Sequence, residues 1–302
     1  MRITDSMMVG NMLENLTNNK ERLNTLNQQL SSGKKFSKPS DDPIKVTTSM
    51  SFSNQINNYE QYQKDINNAK SWLETTENTL SDSTEVMQRA NELALYGAND
   101  TLNQEDRKNM AEEVKQLRDE MISIANSKLG SDYLFSGQAT GEKPISLNPN
   151  YDYSDPAEDH YVEYNGDKNK IKRKISDDNK LTVNLNAEDV FKENIETLNK
   201  MYEDLKNGED GEQIASYVKD IQDGMDKSFG YRAEIGAKIN RMDLIENRID
   251  DDIFNIKKLN SKNEDVDLAE VVTDLKMSEN VYRASLSSAG RIIQPSLVDF
   301  IK

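Results

Sequence analysis

The chain has 302 residues, a net charge of −16, no cysteine and a single histidine, which excludes disulfides, cysteine nucleophiles and metal sites built from thiolates or several histidines. Hydrophobic residues make up only 35%, with 13 glycines and 6 prolines, which excludes a loop-rich all-β protein and favours long helices with narrow apolar stripes. The acidic balance argues against nucleic acid as a partner. With no signal-peptide pattern and no run of about 18 apolar residues, the sequence predicts neither a cleaved signal nor a membrane partner.

The first thirty residues carry a heptad repeat. Its a positions are Val9, Leu16, Leu23 and Leu30, and its d positions are Met12, Asn19 and Leu26. This pattern predicts a coiled-coil helix with one polar d position, ending at Ser31-Ser32-Gly33. Residues 33–43 follow as a predicted linker between helices.

A longer heptad repeat follows the linker. It predicts a second helix from Pro43 to Gly97, with the seam residues Phe52, Tyr59, Ile66, Leu73, Leu80, Met87 and Ala94. A third helix is predicted over 103–128, because apolar residues recur on one face from Met110 to Ile124.

The pattern changes after Gly130. Residues 161–164 precede Asn165-Gly166, which is the strongest short hairpin signal. Residues 171–175 and residues 181–185 each alternate between apolar and polar side chains, and a turn is predicted between them at 177–179. These segments predict a small antiparallel sheet inserted between helices, with the basic run from Lys168 to Lys174 as a solvated face.

The last third of the chain returns to helical periodicity. Helices are predicted over 187–206, with Asn186 as N-cap, and over 212–229 and 233–259. The third of these carries the heptad residues Ile235, Met242, Ile249 and Ile256. A final helix is predicted to begin at an Asp267 capping box.

No motif in the sequence selects a catalytic or binding site. Gly33-Lys34 lacks the upstream glycine of a phosphate-binding loop. His160 lies near Asp155, Glu158 and Asp159, but an exposed loop histidine among carboxylates is usually just solvated. We therefore expect no enzyme, no cofactor and no metal site. A secreted hydrolase is the weakest alternative, because no catalytic arrangement supports it.

The predicted fold is mainly α with a small β insertion. It is an elongated rod of heptad helices in which the N- and C-terminal helices pair and an antiparallel β domain is inserted. Three domains are expected: a terminal coiled coil of residues 1–40 plus 265–302, a long-helix rod of 41–140 plus 186–264, and a β domain of 141–185.

Several short motifs together resemble the bacterial flagellin family. Leu30-Ser31-Ser32-Gly33-Lys34-Lys35 is similar to the N-terminal hallmark of that family. Pro39-Ser40-Asp41-Asp42-Pro43 resembles its members at the hook–filament junction, since filament flagellins usually have an Ala-rich segment there. Further similar segments are Tyr133-Leu134-Phe135-Ser136-Gly137, residues 236–241 and residues 294–301.

The resemblance implies a structural subunit of the flagellum, without enzymatic activity, at the junction between hook and filament. Its implied partners are copies of itself in a ring, hook-associated protein 1 below, flagellin above and an export chaperone at the C-terminal segment. It also implies an extracellular location reached without a cleaved signal peptide. A filament subunit is the alternative within the family, and an intracellular coiled-coil adapter is the alternative outside it.

The expected assembly interface lies on the two terminal helices. Its predicted residues are Val9, Met12, Leu16, Leu23, Leu26, Leu30, Leu275, Tyr282, Leu286, Ile293, Leu297 and Phe300.

Overall fold

The computed structural model describes residues 5–99, 103–148, 151, 160–176 and 179–293. The helices in these ranges are α1 (Asp5–Ser32), α2 (Pro43–Gly97), α3 (Gln104–Ala125), α4 (Glu193–Asn207), α5 (Gly211–Glu264) and α6 (Leu268–Ile293), with a π-helical segment at Glu188–Lys192 before α4. The strands are β1 (Lys128–Leu129), β2 (Asp132–Tyr133), β3 (Ile145–Leu147), β4 (Val162–Tyr164), β5 (Lys172–Lys174) and β6 (Lys180–Thr182). The predicted class, helical with a small antiparallel β insertion, is confirmed.

The chain divides into two compact units. The terminal unit contains Met1–Asn58 and Asp251–Lys302, and the central unit contains Tyr59–Asp250. Both boundaries fall inside helices, α2 and α5. The three-domain division expected from the sequence stays a prediction.

The core of the central unit follows the predicted heptads. Ile66, Leu73, Leu80, Met87 and Ala94 of α2 are all buried. Ile235, Met242 and Ile249 of α5 are buried too. Each such side chain removes enough apolar surface from water to contribute about 1.5–3 kcal/mol. The seven-residue spacing therefore identified the buried faces of both helices.

Helix α5 is longer than the sequence predicts. Separate helices over 212–229 and 233–259 were expected, but the structure is helical through Gly230. A glycine inside a helix costs only about 1 kcal/mol relative to alanine. Packing on either side offsets that cost, since Ser228 is buried and Arg232 donates to the carboxylate of Glu77 at 2.7 Å.

The β insertion consists of separate two-stranded ladders. β1 pairs with β2, β3 with β4, and β5 with β6, each antiparallel. The hairpin predicted over 171–185 is confirmed as β5–β6, with Arg173 opposite Leu181. Its turn residues 177 and 178 lie outside the described part. The side chains of Ile145, Val162 and Ile175 are fully buried, so the insertion contributes to the core of the central unit.

The predicted hairpin with its turn at Asn165-Gly166 is wrong, because β4 pairs with β3, the strand that precedes it in the chain. After β4, the Tyr164 hydroxyl donates to the carbonyl of Asp167 at 2.7 Å, and the Asp167 amide donates to Ser136 at 3.1 Å. A Cβ on Gly166 would lie 2.8 Å from the Ser136 Cα. Gly166, which has no side chain, therefore allows the backbone after β4 to lie close to the backbone at Ser136. Burial, aided by nearby carboxylates such as Asp167, raises the pKa of Tyr164 to about 12.

Asn186 does not act as an N-cap. The π-helical segment is preceded by Ala187 and has no side-chain cap. The backbone carbonyl of Asn186 instead accepts the amide of Asp189 at 3.2 Å, and Asn186 forms a β-bridge with Ser136. Backbone pairing to the insertion overrides the capping preference of asparagine here.

A buried arginine joins the insertion to the helices of the central unit. Arg118 of α3 lies over the rings of Tyr161 and Tyr202, at 4.8 and 5.1 Å from their centroids. Its guanidinium donates to the side-chain oxygens of Asn199 at 2.8 Å and Asp119 at 2.9 Å. This arrangement satisfies the charge by cation–π contact and hydrogen bonds together.

Candidate assembly interface

The N- and C-terminal helices, α1 and α6, pack antiparallel in the terminal unit. At the centre of the contact Leu26 is buried against Val271 and Leu275, with Leu23 and Val266 partly buried beside them. The predicted pairing of the chain ends is therefore confirmed. A seam of alternate three- and four-residue spacing explains why both helices form with one covered stripe each.

Polar side chains mark the rest of this seam. The Asn19 amide lies 3.5 Å from the Ser285 hydroxyl, and Arg22 lies 3.8 Å from the carboxylate of Asp274. A polar residue at a d position favours one register at some cost in stability. The exposed ion pair contributes at most about 1 kcal/mol.

The predicted interface residues occupy different environments. Val9, Met12, Leu16, Leu23 and Tyr282 are half-buried, Leu26 and Leu275 are buried, and Leu30 and Leu286 are exposed. The side chain of Ile293 and all of Leu297 and Phe300 lie outside the described residues. The structure brings Leu23, Leu26 and Leu275 of this set together at the α1–α6 contact, while the role of the set between subunits stays a prediction.

The sequence interpretation missed much of the covered face of α6. Val271 and Ser278 are buried, and Ser285 is half-buried. Together with Leu275, Tyr282 and the buried Ala289 they repeat at four and three residues, the signal that could have found them. Small and hydroxyl side chains in this seam made the more apolar neighbouring stripe look like the contact face.

Exposed apolar side chains lie on both sides of the α6 seam. Leu268, Val272 and Leu286 lie on one flank, and Met277 and Val281 on the other; Leu268 is 55% exposed. Met7, Met8 and Leu13 of α1 are exposed as well. A helix that is apolar around most of its circumference usually packs against more than one partner. We call these α6 residues the α6 flanks.

A buried carboxylate joins the linker after α1 to the end of α5. Glu264 accepts hydrogen bonds from Ser49 at 2.8 Å and Asn260 at 3.0 Å, and it pairs with the ammonium of Lys34. The backbone amide of Lys35 donates to the Glu264 carbonyl at 2.7 Å. Burial alone would raise the pKa of Glu264, but Lys34 and Ser49 outweigh it and the net pKa is lowered.

The paired aspartates of the linker have separate structural tasks. Asp41 accepts the backbone amides of Ser37 and Lys38 at 3.1 and 3.0 Å, and these bonds lower its pKa. Asp42 caps α2 by accepting the amide of Lys45 at 3.0 Å, and its pKa is lowered first by that bond. The motif at 39–43 therefore shapes the entry into α2.

The structure describes only part of the region around His160, the single histidine of the chain. The imidazole Nδ1 of His160 lies 2.8 Å from a carboxylate oxygen of Glu196, and its sequence neighbours Asp155, Glu158 and Asp159 lie outside the described ranges. Where the structure is described, no group of three or more His, Asp or Glu residues is placed to hold a metal ion. Among the described helices none combines the length and apolar character needed to cross a bilayer.

Comparison with known proteins finds a family match for the N-terminal half of the chain. Residues 3–140 match the family model of the bacterial flagellin N-terminal helical region. This segment is similar to the helical N-terminal region of bacterial flagellins. The family resemblance seen in the motifs is thereby confirmed, and the matched region includes α1, α2, α3 and the linker with its paired aspartates.

Among curated proteins, the chain is 32% identical over 146 residues to flagellar hook-associated protein 3 of Salmonella typhimurium, covering 48% of this chain and 46% of that protein. It is 30% identical over 142 residues to a flagellin of Clostridium tyrobutyricum, covering 47% and 38%. The chain thus spans about half the length of the curated relatives it matches. Flagellar hook-associated protein 3 of Legionella pneumophila is similar in fold, with a TM-score of 0.62 at 16% identity over 70% of this chain and 97% of that one.

Proposed function

We propose that this chain is a structural, non-enzymatic subunit of the bacterial flagellum at the junction between hook and filament. The observation that carries the proposal is the terminal unit. Its helices α1 and α6 are paired through one seam, while the α6 flanks and Met7, Met8 and Leu13 of α1 stay exposed. Apolar faces of this kind are usually covered by further subunits.

The relatives support the junction over other flagellar positions. Hook-associated protein 3 of both Salmonella typhimurium and Escherichia coli matches the chain. The linker motif at 39–43 also resembles junction proteins, and the structure gives each aspartate a local role. The proposed partners are copies of this chain in a ring, hook-associated protein 1 below, flagellin above and an export chaperone that binds the C-terminal segment.

The proposal assigns a task to each part of the chain. Residues 1–40 with 265–302 would line the inner tube, and 41–140 with 186–264 would form the surrounding rod. Residues 141–185 would face outward. The site of action would be extracellular, reached by flagellar export without a cleaved signal peptide.

The test is localisation in a strain whose own copy carries a surface epitope. Gold labelling of sheared flagella should mark one band at the hook–filament boundary, and deletion should leave hooks without filaments. Labelling along the whole filament would instead identify a filament subunit. Retention of the protein in the cell body, with normal filaments after deletion, would contradict a flagellar role.

A further inference from the structure

Four large apolar side chains of the terminal unit lie outside its core and outside the α1–α6 contact. On α2 Ile44 is 79% exposed and Met50 is 60% exposed, and on α5 Phe254 and Leu259 are 68% and 51% exposed. Single exposed apolar residues are normal on a protein surface, whereas grouped ones mark interaction sites. Their arrangement around the paired helices α2 and α5 therefore decides whether they form such a site.

The helices α2 and α5 run antiparallel in the terminal unit. The Ser49 hydroxyl donates to the side-chain oxygen of Asn260 at 2.8 Å, and the Asn263 amide donates to the carbonyl of Lys45 at 2.9 Å. Residue numbers therefore rise along one helix as they fall along the other. Ser49 and Asn260 face each other, so they provide the reference from which the two sides of the helix pair are assigned.

The exposed apolar side chains lie on opposite sides of this helix pair. From the facing residue of α2, the helix turns by about 100° to Met50 and by about 140° in the other sense to Ile44. From the facing residue of α5, it turns by about 120° to Phe254 and by about 100° in the other sense to Leu259. Because the helices are antiparallel, rotation in the same sense leads to the same side. We call the side of Met50 and Phe254 the groove side, and that of Ile44 and Leu259 the far side.

A groove of about 560 Å³ opens on the groove side. Phe36, Val46 and Met50 give it an apolar lining, and Ser53 and Asn54 lie beside them. The four residues from α2 are three and four positions apart, as expected for one side of a helix. A groove with this lining can receive an apolar side chain from another molecule.

Leu259 lies at the same height as the groove but on the far side, because its neighbour Asn260 faces Ser49. A second copy that is rotated about an axis parallel to the helices, without displacement along them, would bring its Leu259 to this groove. We propose that Leu259 and Ile44 of each copy pack against the groove and Phe254 of the next copy in the ring. The contact joins two different sides, so it closes into a ring when the rotations add up to a full turn. The inference rests on the proposed function, since it gives the proposed ring its lateral contact in the terminal unit.

Charge supports a second copy as the occupant of the groove. Lys257 shares the groove side with Phe254, three residues away, and Asp252 shares the far side with Leu259, seven residues away. The two sides that meet in the ring therefore bring opposite charges together. This favours the ring orientation over a contact between two identical sides.

Cross-linking in assembled flagella tests which sides meet, because the chain has no cysteine of its own. The test variant carries Asn54→Cys at the groove and Asn255→Cys on the far side, one turn from Leu259; both positions are exposed. Sheared flagella are treated with a short bismaleimide, and we expect a ladder of dimers and larger multimers of this protein. The matched control carries Asn54→Cys with the exposed Ser261→Cys, both on the groove side, and should give only background dimer.

Substitution of the apolar anchor gives a second arm. Leu259→Asp in the test variant should lower the dimer yield about tenfold, since the burial of one leucine side chain is lost. Lys258→Gln changes the net charge by the same amount at an exposed neighbouring position and should leave the yield unchanged.

The outcomes distinguish the lateral contact from the proposed function. A test variant that is present in flagella without cross-linking overturns the lateral contact, and so does a yield that ignores Leu259→Asp. Equal or greater dimer yield from the control pair overturns it too, because it shows two identical sides in contact. Gold labelling of the same strains at the hook–filament boundary would leave the proposed function standing in each of these cases. Absence of the natural chain from flagella would contradict the proposed function and the lateral contact with it.

Discussion

The hydroxyl of Ser49 donates a hydrogen bond of 2.8 Å to the buried carboxylate of Glu264, linking α2 to the end of α5 within the terminal unit. Lys34, Lys35 and Asn260 converge on the same residue. A single acidic side chain therefore ties together the linker after α1 and the turn before α6.

Glu264 should make the terminal unit sensitive to acid. Its pKa is lowered in the folded state, so its stabilising contribution is present above the ordinary value of 4.5 and is lost as pH falls through the folded pKa. Asp41 and Asp42 act in the same direction. We expect the hydrogen-exchange protection of residues 26–36 and 260–275, measured relative to the unstructured chain at each pH, to fall as the pH is lowered beneath the ordinary value of 4.5.

The Glu264→Gln variant separates the contribution of Glu264 to the pH dependence of stability from that of the other acidic residues. It should lower the free energy of unfolding at pH 7 by about 1–2 kcal/mol, since a charge-assisted hydrogen-bond network is weakened. Its stability should depend less on pH than that of the natural sequence. The exposed Glu270 provides the control, and Glu270→Gln should leave both quantities nearly unchanged.

A charged side chain on the buried heptad face of α2 or α5 in the central unit should be strongly destabilising. Leu73 and Ile249 are only 1% and 3% exposed, so Leu73→Asp or Ile249→Asp buries an unpaired carboxylate at a cost of several kcal/mol. Thermal unfolding should show a fall in Tm well beyond about 4 °C for either variant. Leu244, on the same helix as Ile249, is 72% exposed, and Leu244→Asp should change stability by less than about 0.5 kcal/mol. Equal shifts for all three would show that the heptad does not define the core.

The seam and the flanks of α6 should separate folding from assembly. Leu275→Asp is expected to weaken α1–α6 pairing in the free subunit, because Leu275 is buried against Leu26. Leu286→Asp, on the exposed flank, should leave the far-ultraviolet circular dichroism and urea unfolding of the free subunit unchanged while reducing its incorporation into flagella. An unimpaired Leu286→Asp subunit would mean that this flank contacts no neighbour.

Gly166 should be intolerant of a side chain. A Cβ there would meet the Tyr164 ring and the Ser136 backbone, so Gly166→Ala should destabilise the protein by about 1–3 kcal/mol. Gly141 offers the matched comparison, since no atom lies within 4 Å of a Cβ at that position. Chemical unfolding of both variants checks the prediction, and a neutral Gly166→Ala would show that β4 and the 136–138 turn can separate freely.

Sequence periodicity identified the helices well because burial and heptad spacing have the same physical cause. The faces of Leu73 and Ile249 are examples. Strand pairing was harder to predict from the sequence. Asn165-Gly166 has the local chemistry of a hairpin turn, but the Asp167 amide donates to the carbonyl of Ser136, which is distant in sequence. The α6 seam was partly missed for a related reason. Ser278 is buried through its position on the helix, and its side chain carries little hydrophobic signal of its own.

Hydrogen bonds hold together the two ends of the segment between β3 and β4, which makes this segment a suitable place to lengthen the chain. The Asn148 amide donates to the Tyr161 carbonyl at 3.0 Å, and its side chain donates to the His160 carbonyl at 3.0 Å. Because the ends are held together by these bonds, each doubling of the intervening length costs only about 0.6 kcal/mol of closure entropy. A peptide tag or a fluorophore-binding loop inserted between residues 152 and 159 would therefore report on the protein while β3, β4 and the packing of Ile145 and Val162 stay intact.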